Sequence, residues 1–348
     1  MAIDFTIETG DITAFAAEVV VLKYAQAFYG LDKVIAGQLS QAGVPAASLT
    51  PPPGDYRYLD TRGCLLSPQV LFVGVPPLTE FGYPQIREFA AAALTILAAE
   101  APDTRRLATT VHGVGFGLDE VEAFLAQLAG FLEVLQRGAA PPALERISIV
   151  DRNAERVQRL RQILDQNLAG ADYAVKLETG SGYRLAVGPR RMGHAGAIIE
   201  AARLIAPRAI AMAGSETELK AHVFVAMPFK KEMDDVFYFG IQQPVRELGF
   251  VCERVDQQAF VGDILDRVKQ KIETAAIVIA ELTGANPNVY LEVGYAWGKE
   301  RPTILLARAE EELRFDVRGQ RCLKYERIID LKEALTRELT ALRDEGLI

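Results

Sequence analysis

A single glutamate, Glu292, lies in an otherwise uncharged and largely apolar stretch, NPNVYLEVGYAW, residues 286–297. The residues three and four positions away from it are all uncharged: Asn288, Val289, Tyr295 and Ala296. This pattern predicts a pocket wall rather than a solvated helix face. Asn288 is expected to cap the helix, which would place Glu292 near the first turn, where the helix dipole favours an ionised carboxylate. Such a carboxylate acts as a nucleophile or stabilises a developing cation, although it can also be a purely structural hydrogen-bond acceptor.

Other candidate site residues follow three predicted strands. Ligands of an open parallel sheet collect beyond the carboxyl ends of its strands, and we predict a substrate site there. Its proposed members are Ala226, Met227, Pro228, Phe229, Asp256, Glu281, Asn286 and Asn288. The polar side chains suit the hydroxyl groups of a sugar, and the backbone of 226–229 could approach a sugar or phosphate closely. Asp256 equally fits a structural role, because the segment RVD can pair Arg254 with a neighbour.

The histidines and cysteines do not suggest a metal centre. His112, His194 and His222 are far apart without ligand spacing, and His112 is interpreted as a core residue. The three cysteines are also widely separated and fit a reducing compartment. No metal site and no bound cofactor are therefore expected.

Alternating strand and helix patterns must position these residues. From about residue 221, the buried strands AHVFVAMPF, FVCERVD, AIVIAELT and PTILLAR alternate with helices, which predicts a parallel sheet covered on both faces. The first part alternates in the same way, with helices expected at Tyr83–Glu100 and at 154–167. The overall prediction is two three-layer α/β domains, of which the C-terminal one has a flavodoxin-like parallel sheet.

We place the domains at 1–170 and 219–348. The segment 171–218 contains a possible hairpin, YAVKLETGSGYRLAVG, and an alanine-rich helix, GAIIEAARLIA. It can be a connector or an extension of either domain.

Length and charge narrow the classes of function. The 348 residues exceed the usual size of a single core. The net charge of −8 argues against a general nucleic-acid binder. No apolar run reaches membrane-spanning length and no leader pattern is visible, so a soluble cytoplasmic protein without a membrane partner is expected.

The C-terminal motifs resemble a known family. In order, VFVAMPF, RVD and VIAELTGANPNVYLEVGYAWGKERPTILLA are similar to the bacterial TIR-like family related to nucleoside 2-deoxyribosyltransferases. The family's E-x-G-x-A motif matches Glu292, Gly294 and Ala296, and the resemblance implies that Glu292 attacks or stabilises the anomeric carbon as an N-glycosidic bond breaks. Glu281 departs from the family's usual aspartate, which bears on substrate choice.

The N-terminal motifs TGDIT and HGVGFG resemble the macro domain and the related amino-terminal domain of leucine aminopeptidases. The resemblance implies that Asp11 and Ile12 hold an adenine. It implies also that Gly113, Gly115 and Gly117 wrap a diphosphate. The asparagine-rich segment of catalytic macro domains is replaced by KYAQAFYG, so binding or sensing is expected rather than hydrolysis.

Together these resemblances imply an NAD(P) glycohydrolase, with NAD as substrate, that acts in antiviral defence. A nucleotide or ADP-ribose-like ligand of the first domain would activate it, together with assembly into a homo-oligomer. Two alternatives remain open at this point: a nucleoside 2-deoxyribosyltransferase of salvage, and a non-catalytic nucleotide-binding or assembly module.

Overall fold

The computed structural model describes residues 2–114, 116–186, 208–255 and 263–348. The chain divides into two compact units, and each is discontinuous in sequence. The first comprises Met1–Gly113 with Glu120–Glu216, and the second comprises Val114–Asp119 with Thr217–Ile348. Both are built from strands and helices, which confirms the α/β fold class.

An eight-stranded mixed sheet, in the order β3-β4-β2-β5-β6-β1-β8-β7, forms the centre of the first unit. Its strands are β1 (Ala2–Thr9), β2 (Val19–Tyr24), β3 (Tyr56–Asp60), β4 (Gln69–Gly74), β5 (Arg106–Thr109), β6 (Arg146–Asp151), β7 (Ala174–Lys176) and β8 (Gly182–Ala186). The strands from β4 to β1 in this order pair in parallel, whereas β3, β8 and β7 pair antiparallel with their neighbours.

The described residues of the first unit form five α-helices. They are α1 (Gly30–Gln41), α2 (Tyr83–Glu100), α3 (Glu120–Arg137), α4 (Ala154–Leu168) and α5 (Arg208–Met212). Helices α2 and α3 approach closely at Gly130, where an added Cβ would lie 2.1 Å from the carbonyl oxygen of Arg87. Only glycine allows the backbones to pack at this distance.

One part of the first unit differs from what its composition indicates. The proline-rich segment TPPPGDYRYLD is typical of a surface loop, but its second half is the edge strand β3. Proline is excluded from the interior of a sheet but tolerated next to an edge strand. The prolines here therefore do not distinguish a loop from an edge strand. The predicted hairpin forms as β7 and β8 and joins the first sheet through β1. The helix predicted from GAIIEAARLIA lies outside the described residues.

The second unit contains a five-stranded sheet in the order β10-β9-β11-β12-β13, with every pair parallel. Its strands are β9 (His222–Ala226), β10 (Val251–Glu253), β11 (Ile277–Glu281), β12 (Thr303–Arg308) and β13 (Cys322–Tyr325). This is the flavodoxin-like strand order 2-1-3-4-5. Side chains of β9 alternate between two hydrophobic clusters: Val223 and Val225 join one, Phe224 and Ala226 the other. Both faces of the sheet are therefore covered, as predicted.

The helices of the second unit include an unusual one. They are the π-helix Val236–Gln242, α6 (Gln243–Glu247), α7 (Asp263–Thr274), α8 (Pro287–Gly298), α9 (Phe315–Arg318) and α10 (Ile328–Asp344). The sequence pattern between β9 and β10 is typical of an ordinary helix, whereas residues 236–242 have π-type hydrogen bonding. The strand β13 was not predicted.

Two features are absent from the described residues. None of these helices is long and apolar enough to cross a membrane. No group of three or more His, Cys, Asp or Glu side chains in the described ranges is arranged to hold a metal ion.

Candidate functional site

The candidate site lies at the carboxyl edge of the second sheet. All five strands run in parallel, so the segments that follow β9, β10 and β11 emerge at this edge. Ala226 ends β9, and Ala226, Met227 and Pro228 are buried whereas Phe229 is partly exposed. Phe229 is thus the one partly exposed residue of the segment 226–229.

Glu292 is the sixth residue of α8 and is only 7% exposed. The helix contacts β9, β11, β12 and α7, and Val289, Val293 and Ala296 bury the face next to the glutamate. The burial of Glu292 agrees with the uncharged pattern around it, whereas the pocket wall itself stays a prediction.

The cap of this helix was assigned to the wrong residue. Asn286, not Asn288, is the N-cap, and its side-chain oxygen accepts a hydrogen bond from the backbone N–H of Asn288 at 2.9 Å. Glu292 therefore lies in the second turn, beyond the range over which the helix dipole acts most strongly. Pro287 at the first helical position was the available signal, because proline favours that position.

Glu281 ends the central strand β11 and is fully buried. One carboxylate oxygen accepts a hydrogen bond from the backbone N–H of Thr283 at 2.9 Å, and the other accepts one from the hydroxyl of Tyr325 at 2.9 Å. Burial raises the pKa of Glu281, while the bonds from Thr283 and Tyr325 and the charge of Arg308 oppose this shift. Both oxygens are thus engaged inside the protein, and a direct contact of Glu281 with substrate remains a prediction.

Arg254, directly after β10, is held between two aromatic rings. Its guanidinium carbon lies 4.0 Å from the ring centroid of Phe229 and 3.9 Å from that of Phe237. One guanidinium nitrogen lies 3.7 Å from a carboxylate oxygen of Asp234, and another donates a hydrogen bond to the sulfur of Met227 at 3.6 Å. The interpretation that RVD pairs its arginine with a neighbour fits this geometry. Cation–π contacts to two rings fix a positive charge at the carboxyl edge.

Asp256 lies outside the described residues, in the segment 256–262 that follows Val255. Its role as a substrate ligand stays a prediction.

In the first unit, Asp11 follows β1 and caps a short 3-10 helix. One carboxylate oxygen accepts hydrogen bonds from the backbone N–H and the hydroxyl of Thr13, and the other from Arg152 at 2.6 Å. The bonds from Thr13, followed by the bond from Arg152, lower the pKa of Asp11. The side chain of Ile12 is buried in the apolar core of this unit. The adenine role of both residues is untested.

The three loop glycines have different surroundings. Gly113 has a positive φ of 88°, and Gly115 lies outside the described residues. Gly117, with a φ of 95°, belongs to the second unit, and a Cβ added to it would lie 2.6 Å from a methyl carbon of Val255. The backbone at Gly117 is therefore packed against protein, and the diphosphate role of the three glycines is a prediction.

A buried ion pair beside β5 was not found from the sequence. Lys23 on β2 donates to Asp32 on α1 at 2.8 Å, and both side chains are buried. His112 is buried with its ring edge against Phe89, and burial together with the charge of Lys23 lowers its pKa well below the usual range. The interpretation of His112 as a core histidine agrees with this environment.

No family model matches the chain, and no curated protein matches it in sequence. Among solved structures it is similar to a Trypanosoma brucei macrodomain in complex with ADP, with 14% identity, 46% of this chain and 68% of that chain covered, and a TM-score of 0.39. It is also similar to an Oceanobacillus iheyensis macrodomain with MES bound, with 14% identity, coverages of 48% and 96%, and a TM-score of 0.38. A third is a Clostridium botulinum CMP N-glycosidase, with 20% identity, coverages of 34% and 98%, and a TM-score of 0.29. The TIR-like resemblance has no match among family models.

Proposed function

We propose that the second unit cleaves the N-glycosidic bond of a nucleotide and that Glu292 is its catalytic carboxylate. The observation that carries the proposal is the position of Glu292: a nearly buried carboxylate on the helix that directly follows the central strand, at the edge where parallel sheets bind ligands. Its helix neighbours Val289, Val293 and Ala296 belong to the hydrophobic core of the second unit. Carboxylates retained in such surroundings are candidates for chemistry.

The reaction needs little besides this carboxylate. When the bond between the anomeric carbon and the base nitrogen breaks, the base leaves with the electron pair and the sugar becomes oxocarbenium-like. An ionised Glu292 stabilises this charge or adds to the anomeric carbon as an ester. Water then attacks the same carbon, releases the carboxylate and leaves its second proton to solvent or to the departed base.

The substrate we propose is NAD, on the resemblance of the second half to TIR-like effectors. The Arg254 guanidinium contributes fixed positive charge at the same edge, which suits a substrate that carries phosphates. A defence role is part of this proposal. The nucleotide is a substrate, and the chemistry requires no resident cofactor.

For the first unit we propose the binding of an ADP-ribose-like nucleotide that regulates the second. An enzyme that consumes a central cofactor would be harmful if always active, so the full-length protein should be nearly inactive until a ligand binds or the chain assembles. A hundredfold rise in a sparsely populated active state requires a preference of roughly 2.7 kcal/mol, which a single nucleotide can supply.

The proposed cleavage is tested by measuring the release of free base. The full-length protein is incubated with NAD, CMP and deoxynucleosides in separate reactions, with and without ADP-ribose, and the products are separated by chromatography. Glu292→Gln keeps the shape and removes the charge, so turnover should fall roughly a hundredfold or more with the melting temperature little changed. Glu333→Gln, at an exposed position on α10, is the matched control and should retain full turnover.

Each alternative predicts a distinct product. Transfer of deoxyribose to a second base, without hydrolysis, would identify a deoxyribosyltransferase. Nucleotide binding with no released base, in wild type and Glu292→Gln alike, would identify a binding module and refute the catalytic role of Glu292.

A further inference from the structure

The segment Val114–Asp119 belongs to the second unit although it lies far from the rest of that unit in sequence. Phe116 forms an antiparallel bridge with Val255, directly after the edge strand β10. The carbonyl oxygen of Phe116 accepts a hydrogen bond from Arg267 on α7 at 3.2 Å. Gly117 packs against Val255 at a distance that leaves no space for a side chain. The chain just beyond β10 is thus paired with a segment that precedes it by more than a hundred residues.

Asp119 connects three elements of the second unit. Its buried carboxylate accepts hydrogen bonds from Arg246 on α6 at 2.7 Å, from Gln242 at the end of the π-helix at 3.2 Å, and from the backbone N–H of Cys252 in β10 at 3.3 Å. Charge-assisted hydrogen bonds in a buried setting are strong, so Asp119 fixes the π-helix and β10 relative to each other.

The same two elements hold Arg254. Phe237, which covers one face of its guanidinium, lies in the π-helix, and Arg254 itself follows β10. A stretch of π-type hydrogen bonding is rare and occurs often at functional sites. Any shift of the π-helix against β10 therefore moves Arg254.

We infer that Phe116–Asp119 is a positioning segment, in which Asp119 holds the π-helix and the end of β10 in the arrangement that places Arg254 at the candidate site. The inference rests on the proposed function for its effect on turnover. The segment also continues along the chain into β5 on one side and α3 on the other. A change in that part of the chain can therefore act on Arg254 through Asp119.

The test uses the full-length chain with Asp119→Asn, which preserves size and removes the charge. Amide hydrogen exchange is expected to accelerate at residues 252–255 and over 236–242, while exchange on β12 stays unchanged. Where base release is measurable, kcat at 20 °C, a temperature at which the variant is folded, should fall roughly tenfold or more. Asp344→Asn, at an exposed position near the C-terminus, is the matched control.

A second variant avoids the charge change. Gly117→Ala places a methyl group 2.6 Å from Val255 and should give the same pattern of exchange and kcat, whereas Gly319→Ala adds a methyl group into open space and should not.

A stability-matched control distinguishes a positioning role of Asp119 from a purely structural one. Ile304→Ala removes core packing in β12, which is separated from β10 by β9 and β11, and lowers the melting temperature. If Asp119→Asn reduces kcat no more than Ile304→Ala at equal loss of stability, the positioning role is refuted. If no nucleotide releases base even in wild type, the proposed function fails. The exchange at 252–255 then still decides whether Asp119 holds β10: faster exchange supports the inference and unchanged exchange overturns it.

Discussion

The hydroxyl of Tyr325 donates a hydrogen bond of 2.9 Å to Glu281, which lies 44 residues earlier in the chain. Tyr325 ends the edge strand β13 and Glu281 ends the central strand β11, with β12 between them. The bond joins two buried side chains across the sheet, and it ties the carboxyl edge of β11 to the strand at the margin.

Tyr325→Phe should destabilise the second unit by roughly 1–3 kcal/mol, because it leaves an oxygen of the buried Glu281 without its donor. Denaturant unfolding of the full-length chain measures this loss. The matched control is Tyr173→Phe, since the Tyr173 hydroxyl has no hydrogen-bond partner among the described residues and its removal should cost little. Equal losses for the two variants would show that the bond to Glu281 contributes nothing.

Glu281→Gln should change the pH dependence of stability. Burial raises the pKa of Glu281 in the folded state, so the folded protein binds the proton more tightly than the unfolded chain does. The contribution of Glu281 to the free energy of unfolding is therefore fully present below the unfolded pKa of about 4.5. It declines as pH rises through the folded pKa. Relative to Glu281→Gln, wild type should lose stability with rising pH in this window. A constant difference in free energy of unfolding between the two proteins from pH 4 to 8 would contradict the assignment.

Gly294→Ala should stabilise α8 by roughly 0.5–1 kcal/mol, because alanine loses less backbone entropy than glycine in a helix. A Cβ at this position meets no atom within 4 Å, and Gly294 lies on the exposed face, away from the buried side of Glu292. Base release should be unaffected. A large loss of turnover with a folded protein would instead mean that substrate approaches the backbone at Gly294.

Breaking the buried pair in the first unit should be costly. Lys23→Met or Asp32→Leu alone removes one member of a buried ion pair, and we expect each to lower the free energy of unfolding by roughly 3–5 kcal/mol. The double variant removes both charges and should recover most of that loss. Additive losses in the double variant would show that the two side chains are not coupled.

The buried strands and long helices could be predicted because their patterns are local. The helix Tyr83–Glu100 and the strand Ile277–Glu281 contain continuous apolar signals that need no partner for interpretation. By contrast, β13 is a four-residue strand between Arg321 and Glu326, and its pairing with β12 decides its conformation. A short, partly exposed edge strand carries too little local signal.

For the candidate site, too, local patterns could be predicted from the sequence, whereas contacts between distant residues could not. The burial of Glu292 could be predicted, because its helical neighbours are close in sequence. The partners of Glu281 and Arg254 could not, because Tyr325, Phe229 and Phe237 reach them only through the fold. The roles of Asp256 and of the loop glycines are still predictions.

The discontinuity of the second unit affects how it can be cut out of the chain. A fragment that starts at residue 219 lacks Phe116 and Asp119, so it exposes the margin of β10 and leaves Arg246 without this carboxylate. An uncovered strand margin is a template for intermolecular pairing. Such a fragment should therefore aggregate rather than report the intrinsic activity of the unit. A circularly rearranged or fused version that restores Phe116–Asp119 beside the end of β10 is the form in which this half of the protein can be studied by itself.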